Sequence, residues 1–409
     1  MSKLKIGIFG AGCVGSGLLN VLTQTQKIDA VVKTVVAKNP SKKRRINFPV
    51  SYNPLDILED PEINVVVELI SDSSEAYQLI KTSLLKGKHV ITANKKVLAE
   101  HLTELISIAD CANSSLLYEG AVGGSIPIIR NLEEYYNNDN LTKIEGIVNG
   151  TTNYILTKAN QGISYADALI EAQAKGFAEE NPTLDVDGFD PKFKLVLLLK
   201  HAFGVSVTQD KIFHVGIRQI KPFDVQYALD NDFRIKLLAT AYKVDQKLHA
   251  IVAPHFIAKN HSAYHVDDEF NAIIVNAELA DKQLFFGKGA GSYPTASAVL
   301  SDLSALENNY RYNYKKTKDT RVYFSQDTLL KVYISASKLE NILKIKFEQI
   351  VHQYTGPGHS YLIGLVCLRE LNKIDWNNRS DVSLLIFPES NLLEQQIINN
   401  KSNFEIYEN

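Results

Sequence analysis

The sequence predicts an α/β protein: a doubly wound parallel sheet at the front, an α+β segment behind it, and a small α+β module at the end. Three observations carry that prediction. The first third alternates short β-branched runs with longer helical stretches. A glycine pattern, Gly10-Ala11-Gly12-Cys13-Val14-Gly15, falls between the first strand and the first helix. Runs such as Val65-Val66-Val67 are apolar without alternation, as in a sheet covered on both faces.

Residues 4–9 read as a strand, 14–25 as a helix and 30–37 as a second strand. A strand over 65–70, a helix over 75–86, a strand over 89–93, a helix over 96–111 and a strand over 116–121 complete the alternation. From about 141 to 306 the character changes. A strand over 142–148 leads through Asn149-Gly150-Thr151-Thr152 into a helix, and helices over 166–175 and 192–201 precede strand-like runs at 237–243, 249–252 and 272–277. The tyrosine-rich stretch 308–319, with Lys315, Lys316 and Lys318, reads as a linker. Beyond it come strands over 329–334, 361–367 and 382–387, a helix over 338–351 and a turn at Gly356-Pro357-Gly358, a βαββαβ-like order. The expected domains are 1–140, 141–306 and 320–409.

Composition limits the function classes. At roughly 100–200 residues per domain, 409 residues allow two to four domains. A 45% hydrophobic share argues against disorder. Forty-four Lys and Arg against 46 Asp and Glu leave a net charge of −2, no basic footprint for nucleic acid. No apolar run approaches the ~18 residues of a membrane span. The start of the chain has no signal-peptide pattern, and Cys13, Cys111 and Cys367 lack metal-ligand spacing, which fits a reducing cytoplasm. The expectation is a soluble cytoplasmic enzyme or regulated binding protein.

The glycine pattern has a Rossmann-type reading. Gly10 permits a tight turn, Gly12 lets the backbone approach a pyrophosphate, and Gly15 lets helix pack on strand. The helix N-terminus then offers N–H groups and partial positive charge to the phosphates. NAD proteins place an acid at the end of the second strand, yet residues 35–44 contain none. Lys38, Lys42, Lys43 and Arg44 suit a 2′-phosphate instead, so NADP is favoured over NAD, a solvated basic loop being the alternative.

Three polar segments stand out beyond it. Lys95, in Thr92-Ala93-Asn94-Lys95-Lys96, follows a sheet strand at its carboxyl end, where ligands bind. Glu119, followed by the glycine turn Gly120-Ala121-Val122-Gly123-Gly124-Ser125-Ile126, leaves carbonyls free for a hard cation. Gly176 to Asp190 is rich in acids, with Asp190 expected as a helix N-cap ahead of Pro191. Asp190 and Lys194 are four apart, so they share a helix face and couple their protonation, and such a lysine can donate a proton to an alkoxide.

Six motifs, in order, resemble those of homoserine dehydrogenases over about residues 4–306: GAGCVG, GKHVITANKKVLA (87–99), YEGAVGGSIPII (118–129), GIVNGTTNYILT (146–157), EAQAKGFAEENPTLDVDGFDPKFK (171–194) and GKGAGSYPTASAVLSDL (287–303). The resemblance implies interconversion of L-homoserine and L-aspartate 4-semialdehyde with NAD(P), the branch point toward threonine and methionine. It implies Lys194 as proton donor and acceptor, Lys95 assisting it, and Glu179 and Asp190 on the substrate ammonium. The cofactor would meet Gly10, Ala11, Gly12, Cys13, Val14, Gly15, Lys38, Ile70, Ser71, Lys95, Gly176 and Gly291. Gly291 thereby implies a return of 287–310 to the first domain. Glu119 with the carbonyls of Val122, Gly124 and Ile126 would hold a monovalent cation, usually sodium. A homodimer or homotetramer through strands near 237–277 is also implied.

The chain departs from the family pattern at two places: Ser71-Asp72-Ser73-Ser74-Glu75 replaces a Gly-Gly turn and Pro, and Asn181 stands where Asp is common. The C-terminal module is compatible with a threonine-binding ACT domain, but its first turn, Ser335-Ala336-Ser337, lacks Pro-Gly. The rival readings are another Rossmann amino-acid dehydrogenase, acting on aspartate itself, and a non-catalytic nicotinamide sensor.

Overall fold

In a computed structural model the chain is described over residues 3–24, 28–40, 47–314 and 322–387. Lys42, Lys43, Arg44, Lys315, Lys316, Lys318 and the end of the C-terminal module, 388–409, lie outside the described residues. The first sheet has six strands: β1 (Leu4–Phe9), β2 (Ala30–Val36), β3 (Val50–Ser51), β4 (Val65–Glu68), β5 (His89–Thr92) and β6 (Leu116–Leu117). Their order is β3-β2-β1-β4-β5-β6 and all pairs are parallel. This is the expected doubly wound arrangement, with its switch point between β1 and β4. Ile6, Ile8, Val65, Val66, Val67, Val90 and Ile91 are wholly buried, as continuous apolar strands between two helical layers must be.

The covering helices Cys13–Gln24, Ser73–Leu85 and Lys95–Cys111 all start at the carboxyl ends of strands. Asp72 caps the second by accepting from the N–H groups of Ser74 and Glu75, and Asn94 caps the third by accepting from Val97. Three helix N-termini therefore face one crevice. The strand expected over 116–121 stops after Leu117. The Glu119 N–H donates to Asp302 at 2.9 Å, and the chain turns into a 3-10 turn at Glu119–Ala121 instead. Asp302 comes from the helix Ser292–Glu307, to which the sequence reading assigns no element. That helix returns to the first sheet: Ser292 Oγ donates to the Cys13 carbonyl at 2.7 Å, and a Cβ on Gly17 would stand 2.4 Å from Ser292 Oγ.

The second sheet contains β7 (Leu141–Ile147), β8 (Phe213–His214), β9 (Phe233–Val244), β10 (Lys247–Ala258), β11 (Phe270–Ala277), β12 (Asp281–Lys288), β13 (Tyr323–Phe324), β14 (Leu329–Ala336), β15 (Gln349–Gly356), β16 (His359–Cys367) and β17 (Val382–Ile386). The main path runs β12-β11-β7-β9-β10-β17-β14-β16-β15, with β8 and β13 paired to β10. The C-terminal strands thus extend the sheet of the middle segment, joined where His255 of β10 meets Ile386 of β17. The helix expected over 338–351 is only a single turn, Leu339–Ile342. Ile350 and Val351 belong to a strand because the turn at Pro357-Gly358 folds β15 back along β16. Among the described residues no helix is long and apolar enough to cross a membrane.

Glu68 ends β4 inside the core, where burial raises its carboxyl to about 7. It accepts the Ile70 N–H and the Thr92 hydroxyl, each at 2.6 Å. The folded chain keeps a proton that the unfolded chain releases near 4.5, so this stability is complete at lower pH and is lost as pH rises through 7. The shift corresponds to roughly 3 kcal/mol. Glu68→Gln is expected to flatten the decline, as read by thermal melting at pH 5 and pH 8. A variant that loses as much melting temperature across that interval as the parent chain contradicts the assignment.

Candidate active site

Two cavities open along the crevice. The first, about 400 Å³, is lined by Gly10, Ala11, Gly12, Lys38, Ile70, Ser71 and Asp72. Its glycines do three different jobs. Gly10, at φ 106°, lies so close to Leu69 that a Cβ would stand 2.5 Å from the Leu69 carbonyl. A Cβ on Gly15 would stand 2.1 Å from the Gly10 carbonyl, so any side chain there lifts the helix off the strand. A Cβ on Gly12 would meet nothing within 4 Å, which leaves that side of the backbone open to a pyrophosphate. Cys13 and Val14 follow as the first residues of the helix, so the loop fits a dinucleotide.

Two of the charges expected near the phosphates, Lys38 and Asp72, are already engaged. Lys38, largely exposed, lies 3.1 Å from Glu75. The Asp72 carboxyl is held below its usual range chiefly by the Glu75 N–H it accepts, so its negative charge serves the helix N-terminus.

The second cavity, about 510 Å³, gathers Lys95, Asn149, Gly176, Glu179, Asp185, Asp190, Lys194 and Gly291. Asp190 is not the N-cap that its position suggests. Gly188, left-handed at φ 82°, opens the helix Phe189–Phe203, and Asp190 sits within the first turn. Its carboxylate is turned to the lysines: Oδ1 lies 2.8 Å from Lys95 Nζ and Oδ2 lies 2.8 Å from Lys194 Nζ. Lys194 also donates to the Val148 carbonyl at 2.5 Å. Burial works to raise the Asp190 carboxyl, but the two lysines and Asn149 outweigh it and hold it well below the carboxylate range.

The lysines diverge. Asp190 raises Lys95, whereas burial lowers Lys194 despite the same partner. Lys194 therefore holds its proton less firmly than Lys95, a separation that acid–base chemistry can use. Glu179 lies exposed at the rim, and Gly176, at φ 75°, forms the adjoining wall.

Sequence reasoning missed Asn149 and Asp185. The Asn149 side-chain Oδ1 caps the helix Gly150–Asn160 by accepting the Thr152 N–H, while Nδ2 donates to Asp185 at 2.7 Å and to Asp190 at 2.8 Å. The capping half is visible as an Asn between strand and helix. The donor half depends on residues about 40 positions away, at |i−j| of 36 and 41. Asn181 serves its own turn, accepting from the Thr183 N–H at 3.3 Å.

In the glycine turn after β6, Glu119 Oε1 and Oε2 accept the N–H groups of Ile129 and Arg130 at 2.8 and 2.9 Å. Gly124 has φ 58° and packs against the Gly289 backbone. The Ile126 carbonyl accepts from Ile128, while among the described residues no backbone N–H donates to the carbonyls of Val122 or Gly124. Such a turn fits a hard cation, whose ligands are oxygens. Among the described residues no group of three or more His, Cys, Asp or Glu side chains is arranged for a metal ion.

A dinucleotide crevice beside a cavity where one carboxylate bridges two lysines defines a nicotinamide-dependent oxidoreductase of a small polar substrate. Residues 10–119 match the family model for the homoserine dehydrogenase NAD-binding domain, and residues 127–304 match that for homoserine dehydrogenase. A homoserine dehydrogenase of Bacillus subtilis is 33% identical over 395 residues, covering 90% of this chain and 91% of the relative. The crystal structure of a homoserine dehydrogenase from Thiobacillus denitrificans superposes with a TM-score of 0.81 at 30% identity, over 95% of this chain and 98% of that one. A hyperthermophilic archaeal homoserine dehydrogenase mutant in complex with NADPH has a TM-score of 0.66 at 25% identity, covering 76% of this chain and 100% of that one. The chain belongs to the homoserine dehydrogenase family.

Asn149→Ala leaves the buried Asp190 and the half-buried Asp185 without their shared donor. The expected cost is roughly 1–3 kcal/mol of stability, read by urea unfolding, together with weaker binding of the amino-acid substrate. An unchanged unfolding midpoint contradicts this role.

Proposed function

We propose that the chain interconverts L-homoserine and L-aspartate 4-semialdehyde with NADP(H), a step toward threonine, methionine and isoleucine. The observation that carries this reading is Asp190 held between Lys95 and Lys194 beside the dinucleotide crevice. The nicotinamide supplies or accepts hydride when bound. Reduction of the aldehyde leaves negative charge on its oxygen, and Lys194 gives that oxygen its proton while Lys95 remains a fixed positive charge. Asp190 and Glu179 bear the opposite charge, which suits the substrate ammonium. Asp185 stays as the more readily protonated neighbour, raised by burial and then by Asp190.

Lys194→Ala is expected to lower kcat by several orders of magnitude with cofactor affinity little changed. Steady-state assay of homoserine oxidation and fluorescence titration with NADPH read the two effects, and retained turnover removes Lys194 from its role.

The cofactor preference would be read at Lys38, which follows β2 in a stretch, 35–44, that holds no acid, and which lines the nucleotide cavity beside Glu75. The expected result is a higher kcat/KM with NADPH than with NADH in parallel assays, and a preference for NADH overturns it. A monovalent cation, sodium by preference, would be held by Glu119 with the carbonyls of Val122, Gly124 and Ile126, stiffening the turn beside Gly289. For assembly as a homodimer or homotetramer, the strands over 237–277 are largely buried within the chain, whereas Leu279 and the β12 residues Leu284 and Phe286 expose apolar surface beside them. That surface supports an interface there.

A further inference from the structure

The turn that opens the helix Phe189–Phe203 is held from behind by the C-terminal segment. Asn377, in the 3-10 turn Trp376–Asn378, donates from Nδ2 to the Asp187 carbonyl at 3.1 Å. Its Oδ1 accepts the Gly216 N–H at 3.2 Å, and its main-chain carbonyl accepts Gln219 Nε2 at 3.2 Å. The base of this contact is rigid, since Trp376 is buried and its indole donates to the Leu371 carbonyl at 2.8 Å. The seat is equally tight. Ile217 N–H donates to the Val186 carbonyl at 2.7 Å, and a Cβ on Gly216 would stand 2.0 Å from that carbonyl oxygen. Arg218 grips the Asp187 carboxylate through two bonds, at 2.8 and 3.1 Å.

The held segment is short and carries a cavity carboxylate at each end, Asp185 before Asp187 and Asp190 after it. Between Asp187 and the helix stands Gly188 at φ 82°, the one place in this turn where the backbone can rotate freely. Asn377 touches neither cavity. An amide suits the position because it donates and accepts at once, which a carboxylate cannot do.

We propose that Asn377 is a positioning residue for the substrate site, fixing residues 185–190 so that Asp190 meets Lys95 and Lys194 together. With that anchor gone, Ile217 and Arg218 still hold residues 186 and 187, but the Asp187 carbonyl is released, so the turn shifts at Gly188 and the two lysine contacts, each 2.8 Å, no longer form at once. The proposal rests on the roles given above to Asp190, Lys95 and Lys194.

The experiment compares Asn377→Asp, near-isosteric but without the donor, with Asn377→Ala, which introduces no charge and so remains informative if the first variant does not fold. Melting temperature, kcat, KM for homoserine and KM for NADPH are measured for both variants and for the parent chain. The expected result is a fall of about tenfold or more in kcat/KM for homoserine, since an ångström of misplacement is costly in a preorganised site. KM for NADPH should stay within about twofold, because the nucleotide cavity shares no contact with Asn377. A lower melting temperature with kcat/KM at the parent value means a merely structural anchor and overturns the proposal, as does an equal loss for both substrates. If Lys194→Ala retains full turnover, the underlying reading has failed. If Lys194→Ala is inactive while both Asn377 variants match the parent chain, only the positioning role has failed.

Discussion

The structure turns on one shared carboxylate. Asp190 lies inside the protein, where an isolated charge would be expensive, and two lysines from different segments meet it. Lys194 comes from the same helix, four residues on, and Lys95 from the first turn of the helix after β5. A single acid therefore fixes the nucleotide-binding sheet to the helix that crosses the second sheet. The same attraction keeps both amines close together despite their mutual repulsion, which burial would otherwise worsen.

The small net charge of −2 conceals that local pattern. In the nucleotide cavity, charge is spent on internal partners: Lys38 with Glu75, Asp72 with two helix N–H groups. In the second cavity Asp190 and Lys194 are buried, Lys95 and Asp185 are half-buried, and Asn149 joins the two aspartates, so a change in one is felt by its neighbours. The difference suits the ligands of the proposed reaction, since a phosphate can be met by backbone and helix dipole, whereas an ammonium and a nascent alkoxide need opposite charges placed separately.

Local signals made much of the fold legible. β1 spans the residues its β-branched run predicts, 4–9, and the glycine loop behaves as its spacing requires, because both depend on neighbours in sequence. The spacing of Asp190 and Lys194 likewise forecast their contact. What stayed hidden depends on distant partners. β15 is a strand because β16 is there to pair with it, and β6 ends early because Asp302 takes the Glu119 N–H from 183 residues away. The donor face of Asn149 and the pairing of Lys38 with Glu75 are of the same kind. Periodicity reports which face of an element is buried, but not which other segment arrives to bury it.

The helix Ser292–Glu307 has a consequence for how the chain is made. Its Ser292 hydroxyl bonds the Cys13 carbonyl across 279 residues, and Gly17 is shaped to receive it. During synthesis at about 5–20 residues per second, the glycine loop must wait on the order of tens of seconds for that partner to emerge. In that interval the face of the helix Cys13–Gln24 that will meet it stands uncovered, although its own strand and helix are complete. The nucleotide-binding half is first in sequence, yet it cannot close until Ser292–Glu307 has been made.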